Sequence, residues 1–304
     1  MKYSLYQESR KGGRADNQDR VGFSYTPDSI VMVLADGMGG HAKGEVAAQI
    51  MVDTALAMFK RLAKPSLEDV TEFLLDSIYA AHQTINEYAV KKKLKDTPRT
   101  TCTICIVQSG RACWAHVGDS RLYHFSFDEL ISRTRDHSAV QALLDDGLIT
   151  ELEVNNHPDR NKLYNGVGGF ILPNIELSAG VVVREGDVLL LVSDGFWSEL
   201  ATDEMLSTLR AYSLKQSLIH LLDQAEYRAA GHGDNLSAIA LRCGEDLSDS
   251  AVKEPLGFDM EGFTTELREL EEKLHKSQPA MSDFDIDKAI EDIQADLLKH
   301  NLDK

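Results

Sequence analysis

Short apolar runs recur along the first 243 positions and alternate with longer stretches of helical periodicity. The runs predict strands near 2–7, 20–26, 30–35, 101–108, 112–117, 120–125, 178–183, 187–193 and 236–242. Two helices are expected between the third and fourth strands, at about 44–62 and 67–92. Val46, Ile50, Thr54 and Met58 share a face of the first, with Ala47 and Met51 widening the stripe. Val70, Phe73, Leu74, Ser77, Ile78 and Ala81 do the same in the second. Further helices are expected near 202–210 and 214–230. Ser109-Gly110 and Gly118-Asp119 are turn signals that make 101–125 a set of hairpin-linked strands. This mixture is not the strict alternation of a doubly wound sheet. It predicts an α+β fold of two packed antiparallel sheets flanked by helices.

The strand signal fades between 137 and 172. Val140, Leu143 and Leu144 ahead of Gly147 read as a short helix, and Thr150-Glu151-Leu152-Glu153 as the start of another. Asn156–Asn161 and Gly166–Gly169 are loop material, so the segment is expected to be an insertion over a sheet edge that serves as a flap. From 245 onward the character changes, with 17 acidic against 7 basic residues. Glu245 to Gly262 reads as a linker. Phe263, Leu267, Leu270 and Leu274, then Ile286, Ile290, Ile293 and Leu297, mark two narrow amphipathic helices. Ser282-Asp283-Phe284-Asp285 resembles a capping box at the start of the second. The expected division is a domain at 1–244 and an acidic extension at 245–304. The extension either packs on itself or the domain, or docks a partner protein.

The formal charge of −17 excludes nucleic acid as a partner, because phosphate backbones call for Lys/Arg stripes. No run approaches the roughly 20 apolar residues of a membrane helix, and no leader-like segment follows Met1, so a cytoplasmic protein is expected. Four cysteines do not suggest a disulfide framework. Cys102 and Cys105 form a CxxC, but they sit in a strand. Residues three apart on a strand face opposite ways, so core packing is the expectation.

Four of the greasy runs end or begin at an aspartate beside a glycine or asparagine. They carry Asp36-Gly37, Gly118-Asp119, Asp194-Gly195 and Asp234-Asn235. A carboxylate at the rim of a buried strand is costly unless something positive meets it. Four such rims in one domain suggest a shared cation site. Hard oxygen donors point to Mg²⁺ or Mn²⁺ rather than Zn²⁺. A metal also reconciles the acidic composition with chemistry on phosphate.

Taken in order, Arg14-Ala15-Asp16-Asn17-Gln18-Asp19, Asp36-Gly37-Met38-Gly39-Gly40-His41, Gly118-Asp119-Ser120-Arg121, Asp136-His137, Ser193-Asp194-Gly195 and Gly233-Asp234-Asn235 form a constellation. It resembles the metal-dependent protein phosphatases of type 2C, in particular their bacterial serine/threonine branch, over about 8–243. The resemblance implies a four-layer αββα sandwich. It also implies hydrolysis of phosphoserine and phosphothreonine in proteins by a water bridging two divalent ions, without a phosphoenzyme. Asp36 matches the carboxylate that bridges the ions, with the Gly37 carbonyl beside it. Asp194 and Asp234 match ligands of the second ion, and Asp19 an outer-shell residue. Asp119 matches a ligand of a third, weaker ion that shares Asp194. Arg14 matches the arginine that grips substrate phosphate. The implied partners are phosphorylated proteins, including serine/threonine kinases and their targets. One position departs from the pattern: Met38 stands where some members carry a histidine that serves as candidate acid. A thioether cannot donate a proton. His137 is expected to brace structure, and Ser120 and Arg121 to hold the turn at Asp119.

Two rival readings fare worse. Gly37-Met38-Gly39-Gly40 before a helix imitates a phosphate-cradling loop but lacks the P-loop ending and the dinucleotide spacing. A non-catalytic scaffold is disfavoured because every carboxylate of the set is present.

Overall fold

The structure is a computed structural model that describes residues 2–38, 43–154 and 157–247. The chain divides into two units, Met1–Pro255 and Leu256–Lys304. All described residues belong to the first, so the two amphipathic stretches expected after 262 lie outside them.

One sheet runs in the order β1 (Tyr3–Arg10), β12 (Leu236–Cys243), β11 (Val188–Val192), β7 (Arg121–Phe125) and β8 (Leu130–Arg133). The other runs β10 (Val181–Val182), β6 (Arg111–Val117), β5 (Cys102–Gln108), β3 (Ser29–Met38) and β2 (Asp19–Tyr25). Two short strands are added, β4 (Arg99–Thr100) on β3 and β9 (Glu176–Leu177) on β6. All pairings are antiparallel.

The period of two along a strand explains the layers. On β3, Val31, Val33 and Ala35 pack against α1 (Gly44–Leu62) and α2 (Val70–Lys91), while Met32 and Leu34 face the other sheet. On β11, Leu190 and Val192 meet α6 (Thr202–Ala211) and α7 (Leu214–Arg228), while Leu189 and Leu191 point inward. Each central strand is thus covered on both faces, so it reads as an unbroken apolar run. The result is the four-layer αββα sandwich that was expected. Cys102 falls in the helix-side core and Cys105 between the sheets, as their spacing requires.

Several local expectations are corrected. Gly118-Asp119 is not a hairpin turn: β6 and β7 belong to different sheets, and Gly118–Ser120 carries the chain across the sandwich. Gly118 takes φ +102°, and a Cβ there would sit 2.6 Å from the Thr101 side chain. Of the strand expected at 178–183 only β10 forms, after Gly180 with φ +74°, and β9 lies just before that range. Strand β8 was not expected, because Leu130 and Ile131 lie on an exposed edge without alternation. The deepest face of α1 is Ala47, Ala48, Met51, Val52, Ala55 and Phe59. It is rotated by about one residue from the expected stripe. Small alanines let the helix lie close on the sheet, and Ile50 and Met58 pack at its margin.

Candidate metal centre

Strand parity places the first two carboxylates. Met32, Leu34 and Asp36 share the inter-sheet face of β3, and Asp19 pairs in register with Asp36 across β2. The apolar column between the sheets therefore ends in two adjacent carboxyl groups. Antiparallel pairing brings the ends of β3, β6 and β11 to the same rim as the starts of β2, β7 and β12. Asp119 lies between β6 and β7, Asp194 follows β11 and opens the short helix α5 (Asp194–Trp197), and Asp234 precedes β12. Asp36 is within hydrogen-bonding reach of both Asp19 and Asp194. It also feels the charges of Asp119 and Asp234. The five aspartates singled out in the sequence thus converge, with Asp36 central.

Gly37 is a contact requirement. A Cβ there would lie 2.3 Å from the carbonyl carbon of Gly44, at the first turn of α1. Gly44 answers it, since its own Cβ would lie 2.7 Å from the Gly37 carbonyl carbon. Two facing glycines let the end of β3 touch the helix. Thr101 then holds Asp36 in place: its Oγ1 accepts the Asp36 N–H at 2.9 Å, and its own N–H donates to the Asp36 carbonyl at 2.8 Å.

The electrostatics of the cluster test whether it fits cations. Ser193 donates its hydroxyl to Asp19 Oδ2 at 2.8 Å, yet Asp19 Oδ1 is buried with no partner. Such an orphaned carboxylate oxygen calls for a positive neighbour. Burial first, then the charge of Asp234, pushes the Asp19 carboxyl up to about 6. Burial, then Asp234 and Asp19, pushes Asp194 up to about 7. Asp36 is raised well above the usual carboxylate range by burial and then by Asp19, Asp194, Asp119 and Asp234. Asp119 is raised by burial, then by Asp194 and Asp136. Arg14 is the one cation paired into the cluster among the described residues. Its Nη2 lies 2.6 Å from Asp234 Oδ2. One half-exposed guanidinium does not offset five carboxylates, so the donor set fits divalent cations with hard-oxygen preference.

Above the cluster lies a cavity of about 140 Å³ whose walls include Arg14, Asp119, Asp194 and Asp234. Ser138, Val154, Arg160 and Asn161, all from the 137–172 segment, also line it. Met38 does not act on the cavity; its Cε packs at Gly166, where a Cβ would lie 2.5 Å away. His41 lies outside the described residues.

The profile of the family described as Protein phosphatase 2C matches residues 7–228. The chain belongs to the protein phosphatase 2C family. It is a protein serine/threonine phosphatase of the bacterial branch. It is 31% identical over 242 residues to the serine/threonine phosphatase stp of Listeria welshimeri, covering 78% of this chain and 94% of that protein. The crystal structure of the Mycobacterium tuberculosis serine/threonine phosphatase PstP superposes with a TM-score of 0.71 at 27% identity. It covers 80% of this chain and 99% of that one. A crystal structure of the PstP catalytic domain in complex with two manganese ions superposes with a TM-score of 0.68 at 28% identity, over 80% of this chain and 99% of that one.

Arg121 and His137 take the bracing places expected of them, while their partners and the links of Asn235 are silent in the sequence. The Asn235 amide donates to the Lys11 carbonyl at 2.8 Å and the Asp16 carbonyl at 2.9 Å, while its Oδ1 accepts the Gln18 N–H at 2.8 Å. It thereby fastens the Arg14 loop to the Asp234 turn. Arg121 is buried and grips Asp136 with two bonds of 2.9 and 2.8 Å. Its guanidinium also stacks 3.4 Å over Trp197, whose Nε1–H donates to the Asp119 carbonyl at 2.9 Å. His137 Nδ1 accepts the Gly118 N–H at 3.2 Å, a bracing role. Each of these links joins residues distant in sequence. The nearest sequence signal is only the presence of a polar residue beside a ligand aspartate.

Proposed function

We propose that this phosphatase hydrolyses phosphoserine and phosphothreonine in proteins with two divalent ions, Mn²⁺ or Mg²⁺, held by its rim aspartates. Asp36 lies between the others and is assigned the bridging role, with the Gly37 carbonyl beside it. Asp194 and Asp234 would hold the second ion, Asp19 would hold its waters, and Asp119 with Asp194 would offer a third, weaker place. When bound, such ions supply positive charge to the phosphoryl oxygens and acidify the attacking water. The carrying observation is the convergence of the other four carboxylates on Asp36, beside a buried, unpartnered oxygen of Asp19.

The chain's own residues do the rest. Arg14 stands at the cavity wall with an exposed planar fork suited to a phosphate dianion. It pairs with Asp234 in this arrangement, and its fork would be available to substrate with a cation held at Asp234. Ser193 is fully buried and committed to Asp19; Ser120 is buried and bonded to Thr101 at 2.7 Å. Neither can present a nucleophile, which supports direct attack by water without a phosphoenzyme. Substrates are phosphoproteins, including serine/threonine kinases and their targets. The catalytic domain is assigned to 1–244, with 137–172 as its flap.

Hydrolysis of p-nitrophenyl phosphate across a Mn²⁺ titration, with an EDTA arm, tests this reading. Activity is expected to require the metal and to fall by about a thousandfold in Asp194→Asn, with weaker Mn²⁺ binding by calorimetry. Arg14→Ala is expected to raise KM for a phosphopeptide and leave Mn²⁺ binding intact. Activity that survives EDTA, or an unchanged Mn²⁺ isotherm in Asp194→Asn, contradicts it.

A further inference from the structure

A second surface lies on the outer face of α2, and none of its lining residues lines the cavity over the aspartates. After Val167 the chain passes through Gly168 (φ +96°) and Gly169 (φ +85°), two consecutive left-handed residues. The turn is clamped to α2, since Gly168 N–H donates to His82 Nδ1 at 3.0 Å and Gly169 N–H to Asn86 Oδ1 at 3.0 Å. Space as well as φ requires Gly168, and φ favours glycine at 169. A Cβ on Gly168 would lie 2.3 Å from the Pro98 carbonyl oxygen, and one on Gly169 would lie 2.9 Å from Arg99 Nε. The clamp presents Phe170, Ile171 and Leu172 to solvent at 98%, 83% and 69% exposure, next to Val90 at 78% on α2. Between loop and helix runs a groove of about 720 Å³ lined by Tyr79, Gln83, Asn86, Val90, Lys91 and Leu172, among others.

Contiguous exposed apolar side chains on a held loop mark a contact surface rather than stray surface leucines. Charge says what covers it. Lys91 lines the groove, Lys92, Lys93 and Lys95 follow it just past the end of α2, and Arg99 lies against Gly169. Against these five cations stand Glu87, tied to Gln83 at 2.8 Å, and Asp96. Among the described residues no salt bridge engages the four lysines. This basic rim sits on a chain of net charge −17, so its sign is local and opposite to the whole.

We propose that this groove docks an acidic amphipathic helix of a partner protein. Its apolar stripe meets Phe170, Ile171, Leu172 and Val90, and its carboxylates meet the lysine rim. A bilayer suits the surface less well. The bulk negative charge of the chain repels anionic lipid. No residue lines both this groove and the cavity over the aspartates, so the test is read by binding rather than by turnover.

Fluorescence anisotropy of the full chain with a labelled synthetic helix tests it. The probe carries leucines at every third or fourth position and glutamates on the opposite face; a control replaces the glutamates by lysines. The glutamate probe is expected to bind at least about tenfold more tightly than the control, and to weaken as salt rises. The double variants Phe170→Ser with Ile171→Ser, and Lys91→Glu with Lys93→Glu, are each expected to weaken it about tenfold. The variant Lys91→Glu with Lys93→Glu should leave p-nitrophenyl phosphate hydrolysis unchanged. Absent binding, equal affinity for the two probes, or variants that bind like the parent overturns the proposal. Concentration-dependent dimerisation, or co-sedimentation with anionic vesicles, abolished by Phe170→Ser with Ile171→Ser also overturns it, reassigning the face to self-association or lipid.

Discussion

At the scale of single residues, the aspartates carry a cost that a cation removes. Asp19 is raised to about 6 and Asp194 to about 7 when no cation is present. A carboxyl whose folded pKa lies above its unfolded value binds its proton more tightly when folded. Its contribution is therefore fully present below about pH 4 and lost as pH rises through the folded values. In the window from about pH 5 to 8 the EDTA-treated protein is expected to lose thermal stability, as far as these groups decide it. Added Mn²⁺ should raise Tm most at the upper end, where the carboxylates are ionised and bind metal without releasing protons. Scanning calorimetry at several pH values checks this. A Mn²⁺ stabilisation independent of pH runs against it.

Elements explain how the aspartates are held and which parts the sequence could disclose. Asp36, Asp194 and Asp234 were legible because an apolar run closed by Asp-Gly or opened by Asp-Asn is a local signal. The rotation of α1 was not, because its buried face is decided by two neighbours, the sheet and α2. Gly118-Asp119 looked like a hairpin because turn chemistry is local, whereas sheet membership is not. The clamp of Arg121 on Asp136 spans 15 positions, and Asn235 reaches residues more than 200 positions away; no periodicity encodes either. Arg121→Met tests the clamp. It removes one partner of a buried ion pair with side-chain exposures of 8% and 4%, leaving Asp136 uncompensated beside Asp119. The expected loss is about 3–5 kcal/mol in denaturant unfolding. A loss below about 1 kcal/mol would show that the pair does not brace this turn.

For the molecule as a whole, the sandwich concentrates the chemistry on one rim. The described chain remains attached to the sandwich slightly past the expected boundary at 244. Asp246 accepts the Leu214 N–H at 2.9 Å and lies 3.0 Å from Arg242 Nε. A chain ending at Leu247 is therefore expected to keep its Tm within a few degrees and its Mn²⁺-dependent turnover of p-nitrophenyl phosphate. Unfolding of that truncated chain would make the acidic extension part of the core. The central claim is that the aspartates at the rim jointly hold hard divalent ions. Anomalous diffraction from crystals of the full chain grown with Mn²⁺ tests it most directly. The account predicts at least two manganese peaks bounded by Asp36, Asp194 and Asp234. No peak among these carboxylates, or manganese only elsewhere on the molecule, contradicts it.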